Sequence, residues 1–247
     1  MTKFFATVCL PPTTPRKVPQ AIAAAMAPYD FNLDPEGWNP GGHWDWWTIH
    51  STANNAYLVL PTHDGDPRLL TASTVPRGKA ELDALGPLEC YGGPRGLLDF
   101  DAMRTRAASK HDALFGVWSE LTAVHPPAHP LTDFVARHKA EPGRYSLADA
   151  KREHLAQPLV QDVAQRAAEG DPYFDTSFLL NDPVAYFAQE HQAAKSWSVR
   201  CAVPGAALIT LDGSWMNADH DDYWDQANRY LNDLDAEAVV LDLLCHC

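Results

Sequence analysis

Apolar residues recur along this chain with two periods, and the places where one period gives way to the other mark its elements. Phe4 to Leu10 is a run rich in aromatic and β-branched residues closed by Pro11-Pro12, which predicts a first strand. Ile22 and Met26 lie one helical turn apart in an alanine-rich stretch, so a helix is expected from near Pro19 to just before Pro28. Residues 29–42 form a polar loop that leads into the aromatic stretch Gly41 to Ser51. Ala56 to Leu60 then reads as a second strand, ended by Pro61 and an Asp64-Gly65 turn. Residues 61–98 have weak periodicity, and Gly92-Gly93-Pro94-Arg95-Gly96 reads as a turn that lacks the spacing and lysine of a phosphate loop.

A period of three to four resumes at Phe100, Met103, Ala107, Leu114, Trp118 and Leu121, predicting a long helix from Phe100 to about Val124 with His111 on its apolar stripe. The proline-rich segment His125 to Pro130 reads as a linker, and a short helix is expected over Leu131 to Lys139. Ser146 and Asp149 stand at capping-box spacing ahead of Leu147, Leu155, Leu159 and Val163, with a kink expected at Pro158 and a stop at Gly170. Asp182-Pro183 opens another helix, through Val184, Phe187 and His191, that ends before Trp197. Trp197, Val199, Cys201 and Val203 alternate with Ser198, Arg200 and Ala202, which predicts a strand with Arg200 on its outer face, turning at Pro204-Gly205 into a return strand over Ala206 to Leu211. A helix containing Trp224, Ala227, Tyr230 and Leu231 and a last strand from Ala238 to about Cys245 complete the chain.

These elements add up to an α+β fold: a two-layer, mainly antiparallel sheet with helices packed on one face, plus a central helical segment. The expected organisation is an N-terminal region 1–125, a helical segment 131–195, and a C-terminal strand-helix-strand region 196–247 that packs with the N-terminal region as one domain.

Charge and composition narrow the function more than the fold. The 247 residues are 46% hydrophobic and 21% charged, with twenty prolines and eight tryptophans, and the formal net charge is −13. Without a basic cluster to track phosphates, a nucleic-acid partner is disfavoured. No run approaches a membrane span, and the opening residues lack the long apolar core of a secretion signal. An odd set of irregularly spaced cysteines (Cys9, Cys90, Cys201, Cys245, Cys247) favours a reducing cytoplasm. The acidic C-terminal stretch, where Arg229 faces nine carboxylates after residue 211, suits a cationic partner or plain solubility.

The densest chemistry lies in Gly41 to Ser51: three tryptophans, two imidazoles and a carboxylate. Strict alternation would put Trp44 and Trp46 on one strand face and His43, Asp45 and Trp47 on the other. His50 is then the candidate proton shuttle, with Asp45 orienting an imidazole or acting as a second acid-base group beside His43. Trp44, Trp46 and Trp47 would wall a substrate cavity, and Asn54, His111 and Arg200 are candidate substrate contacts. The same tryptophans fit core or homodimer contacts equally well. Cys9, Cys90 and Cys245 are candidate thiols if an imidazole approaches them. In Cys245-His246-Cys247 an extended backbone points the thiols one way and the imidazole the other, so no metal site and no cofactor are expected. No metalloprotease, nucleophile-elbow, nucleotide-loop or dinucleotide fingerprint is present.

The order of Phe4-Phe5-Ala6-Thr7-Val8, Trp44-Asp45-Trp46-Trp47, charged central helices, Tyr223-Trp224 and Val239-Val240-Leu241-Asp242-Leu243-Leu244-Cys245-His246 resembles uncharacterised proteins encoded by actinobacteria and their phages. In those proteins the tryptophan motif continues into Gly-Gly-Arg-Trp, whereas here Ile49 is followed by His50-Ser51-Thr52-Ala53. The resemblance implies a shared fold and carries no activity. The leading expectation is an enzyme acting on a small organic substrate by hydrolysis, elimination or cyclisation. The competing one is a non-catalytic binding or host-interaction protein that uses an exposed tryptophan patch.

Overall fold

The computed structural model describes residues 3–33, 39–51, 56–74, 80–82, 85–174 and 182–247. Its strands are β1 (Lys3–Leu10), β2 (Trp46–Ser51), β3 (Tyr57–Leu58), β4 (Ala80–Leu82), β5 (Glu89–Cys90), β6 (Gly92–Pro94), β7 (Ala207–Ile209), β8 (Trp215–Asn217) and β9 (Val239–His246). Its helices are α1 (Val18–Met26), α2 (Phe100–Val124), α3 (Leu131–Ala140), α4 (Leu147–Leu155), α5 (Pro158–Ala168), α6 (Pro183–Phe187), α7 (His191–Arg200) and α8 (Tyr223–Asp233). The chain divides into two compact units: residues 1–106 with 199–247, and residues 107–198.

The first unit is built on β9. Its residues from Val239 to Leu243 are almost wholly buried, as a strand enclosed on both faces requires. β1 pairs antiparallel with its whole length, Lys3 opposite His246 and Leu10 opposite Val239. Its other edge is shared between β2, from Trp46 opposite His246 to Ile49 opposite Leu243, and β6, from Gly92 to Pro94 opposite Leu241 to Val239. The seven-stranded sheet runs β4-β2-β9-β1-β7-β8 with β6 beside β9. The β1–β7 and β2–β4 pairings are parallel and the other four antiparallel. The class is therefore α+β.

Alternation along β1 and β9 feeds two cores, so helices cover both faces of the sheet rather than one. Ala6, Val8, Leu10, Leu241 and Leu243 pack with Val18, Ile22 and Met26 of α1. Cys9, Leu208 and Val240 pack with Phe100 and Met103 from the start of α2 and with Tyr223, Ala227 and Leu231 of α8.

Several expected elements differ, among them the single helix expected after Asp182-Pro183, which is two, α6 and α7. The glycine-rich stretch is a strand edge rather than a turn: Gly92 has φ +136°, and a Cβ there would stand 2.3 Å from the Val240 carbonyl oxygen. Only glycine lets the backbone come that close to β9. Residues 197–203 are the last turn of α7 and the turn after it, not a strand. The helix-favouring run from Gln192 to Lys195 carries the ladder through them, and four alternating apolar positions were too short a signal to compete. The hairpin consequently forms one step later, between β7 and β8 about Asp212-Gly213, with Gly213 at φ +83°. The strand expected at Ala56–Leu60 shrinks to β3, which pairs with β5 in a separate two-stranded sheet.

In the second unit, Leu114, Leu121, Leu159, Val163, Phe174 and Phe187 form the core, with Phe115 and Trp118 packed against it. Ser146 and Asp149 close a capping box at the start of α4. Pro158 occupies the first turn of α5, where its missing N–H costs nothing, so it separates two helices instead of kinking one. Asp182 caps α6 by accepting from the Ala185 N–H at 3.2 Å.

Candidate functional site

The aromatic stretch enters the sheet through an irregular approach, and this decides where its side chains go. β2 begins only at Trp46, so strict alternation does not extend back to His43. Trp44 is 8% exposed and donates its indole N–H to the Met26 carbonyl at 3.1 Å, at the end of α1. Trp47 joins the same core, while Trp46 is 45% exposed. Two of the three indoles thus hold the fold together, and Trp46 alone of the three offers a ring to solvent.

His43 and the carboxylate diverge. His43 stacks on Trp215 with ring centroids 4.6 Å apart and 12° between planes, beside Tyr29 at 5.7 Å. Burial lowers its pKa, against an opposing pull from the Asp219 charge. Asp45 turns instead to the end of β9. Its backbone N–H donates to the His246 carbonyl at 3.0 Å, and its Oδ1 lies 2.6 Å from His246 Nδ1. The backbone of His50 sits in β2 opposite Glu81; its side chain and Asn54 lie outside the described residues.

The other candidates are dispersed. His111 is 3% exposed in the second unit, with Nδ1 3.2 Å from Ser198 Oγ and 3.4 Å from the Tyr186 hydroxyl, its ring against Phe115 and His191. Burial, reinforced by the neighbouring His191, lowers its pKa and favours the neutral imidazole. Arg200 projects from the last turn of α7 and pairs with Asp225 at 3.0 Å. Cys9, Cys90 and Cys245 are buried. Burial pushes the Cys90 and Cys245 thiols up to about 12, and burial with the Asp242 charge raises Cys9 further still. At neutral pH all three are protonated and poorly nucleophilic. Among the described residues, no three His, Cys, Asp or Glu side chains are grouped to hold a metal ion.

Two constellations were not anticipated. In the middle of β9 the buried Asp242 carboxylate accepts from Thr7 Oγ1 at 2.7 Å and from the Tyr57 hydroxyl at 2.8 Å, and Thr7 in turn accepts from the Gly205 N–H. Burial pushes its pKa up to about 6 against these two hydrogen bonds. One polar residue inside an otherwise apolar strand, Val-Val-Leu-Asp-Leu-Leu-Cys, was the available signal. The second is the Asp45–His246 pair, whose members are 201 positions apart and meet only because β2 and β9 are neighbours.

Among the described residues this is the tightest contact between an imidazole and a carboxylate. Its nearest rival, His125 Nε2 with Asp162 at 2.8 Å, lines a groove of about 920 Å³ in the second unit, but Arg166 also bonds that carboxylate at 3.0 Å. Hydrogen bonds from His125 and then Arg166 hold the Asp162 carboxyl below its ordinary range. His191 likewise shares Asp112 with Lys195. Asp45 has no Lys or Arg within ion-pair distance among the described residues, so its charge is directed at the imidazole alone. Compared with protein-family models, with curated proteins and with solved structures, the chain matches none.

Proposed function

We propose that this protein is a cytoplasmic enzyme that acts on a small organic substrate by proton transfer, with His246 as the acid-base group and Asp45 as its partner. The 2.6 Å contact between Asp45 Oδ1 and His246 Nδ1 carries the reading. An ionised carboxylate at Nδ1 fixes the tautomer that leaves the Nε2 lone pair free to accept a proton, and it stabilises the imidazolium that results. The side chains are 19% and 42% exposed, so the pair is anchored by the strands yet open to a ligand. Trp46, opposite His246 across the sheet, supplies an apolar surface beside it. His246 takes the role expected of His50 or His43, and Asp45 keeps its own. Five free cysteines support the reducing compartment.

The test is turnover of a panel of nitrophenyl esters and β-elimination substrates by the full chain and by His246→Gln and Asp45→Asn. We expect His246→Gln to lose at least about a hundredfold in kcat/KM, within the range of general acid-base catalysis, and Asp45→Asn to lose less, with both proteins folded. Turnover equal in all three proteins, or none in any, overturns the proposal. A binding role built on the exposed Trp46 is the second reading; it predicts a ligand whose affinity falls in Trp46→Ala and survives His246→Gln.

A further inference from the structure

We propose that the concavity between α8, the start of α2 and the end of α7 binds a multiply charged oxyanion, phosphate or carboxylate, through Arg104, Arg200 and Arg229. It lies wholly within the first unit, is an open depression of about 510 Å³, and is lined by those three arginines with Asp225, Asn228, Asn232 and Val199. None of these residues belongs to the Asp45–His246 pair, so the site goes beyond the proposed activity and stands or falls separately.

Three guanidinium groups at one concavity run against the character of a chain with net charge −13. Two of them make ion pairs with exposed carboxylates. Arg104 pairs with Asp101, whose side chain is 94% exposed, and Arg200 with Asp225, which is 62% exposed. Water and salt screen carboxylates so placed, and the lining itself carries three guanidinium groups against the one carboxylate of Asp225. The pKa of Arg95 nearby is lowered by burial first and by the Arg104 charge second, against opposing pulls from Asp101 and Asp99. Its guanidinium is occupied by the Leu231 carbonyl at 2.9 Å, the Leu98 carbonyl at 3.3 Å and the face of Phe100.

The cationic floor is also held rigidly. The Arg104 side chain is 20% exposed, and its Nη2 donates to Asn228 Oδ1 at 3.0 Å and Asn232 Oδ1 at 2.9 Å. The Asn228 amide cannot flip away, because its Nδ2 donates to the carbonyls of Arg200 and Trp224, both at 2.8 Å. Neutral amide oxygens fix the guanidinium without cancelling its charge, and a fixed fork suits the oxygen geometry of phosphate or carboxylate. Arg229, exposed at the rim, can close on a bound anion.

Isothermal titration of the full chain with pyrophosphate and, separately, with citrate tests this, at ionic strength held constant with sodium chloride. Saturable binding is expected for at least one. Tighter binding of pyrophosphate assigns a phosphorylated ligand, and tighter binding of citrate a polycarboxylate. Arg229→Gln is expected to weaken that binding at least tenfold with the fold unchanged by circular dichroism, and Arg104→Gln to weaken it further. Because Arg104→Gln removes bonds that also position Asn228 and Asn232, Arg229→Gln is the deciding variant. Unchanged affinity in Arg229→Gln, or no binding of either anion above the chloride background, overturns the proposal.

Discussion

Asp242 and His246 lie on the same face of the same strand, four residues and about 13 Å apart, and the carboxylates at these two places have opposite characters. Asp242 is 8% exposed in the middle of β9 and is held by two neutral donors, Thr7 and Tyr57. Asp45, which reaches His246 from the bend before β2, is 42% exposed and faces a single imidazole. Enclosure by strands and helices makes the first a structural hinge-pin whose charge is costly. The open end of the strand leaves the second within reach of solvent and of a ligand. Position along one strand, rather than residue type, separates the two environments.

The largest expected effect is on the buried member. Asp242→Ala removes the acceptor of two buried hydroxyls and leaves a cavity, which should cost about 3–5 kcal/mol in urea unfolding; a loss under about 1 kcal/mol would show that the network is not needed. The pH dependence comes next. The folded pKa of Asp242 is raised to about 6 from an ordinary 3.8. The folded state therefore binds the proton more tightly, and the stabilisation by the neutral carboxyl is fully present below pH 3.8 and is lost as pH rises through 6. A rise of about two units corresponds to about 3 kcal/mol. Asp66 and Asp149, each lowered to about 2 chiefly by side-chain hydrogen bonds, from Arg68 and Ser146 respectively, act in the opposite sense, losing stabilisation as pH falls from 3.8 towards 2. The measurement is thus a difference: between pH 4 and pH 7.5 the wild-type protein should lose stability relative to Asp242→Asn. Parallel stability–pH curves for the two would contradict it.

The same contrast explains what could be read from the residues alone. Elements with a long, one-sided pattern were legible: α2 runs from Phe100 to Val124 because its apolar stripe repeats over about six turns, and the Ser146–Asp149 and Asp182-Pro183 caps mark helix starts by local chemistry. β9 was legible as a strand, but not the neighbours that give it its meaning. Gly92 and Gly93 carry no side-chain period, so their place against Val240 and Leu241 is visible only once β9 is in the centre of the sheet. Trp197 to Val203 show period two by coincidence over too few residues to outweigh helix propensity. For the candidate site, Asp45 and the exposed Trp46 came from local density of chemistry. Its partner His246 is 201 residues away, and only strand order, which no local pattern encodes, joins them.

The smallest stability effect is expected at the exposed pair, and it sharpens the comparison most. Asp45→Asn leaves the backbone bond from residue 45 to the His246 carbonyl intact and replaces a half-exposed carboxylate by an amide of the same shape. An ion pair open to water contributes about 0–1 kcal/mol, so urea unfolding should shift by no more than that, and less in 0.5 M salt. The cost of Asp242→Ala should be unaffected by salt, since its partners are neutral and buried. If Asp45→Asn destabilised the protein by several kcal/mol at any salt concentration, Asp45–His246 would be a second structural clamp on β9. The division of the strand into a buried structural middle and an open chemical end would then fail.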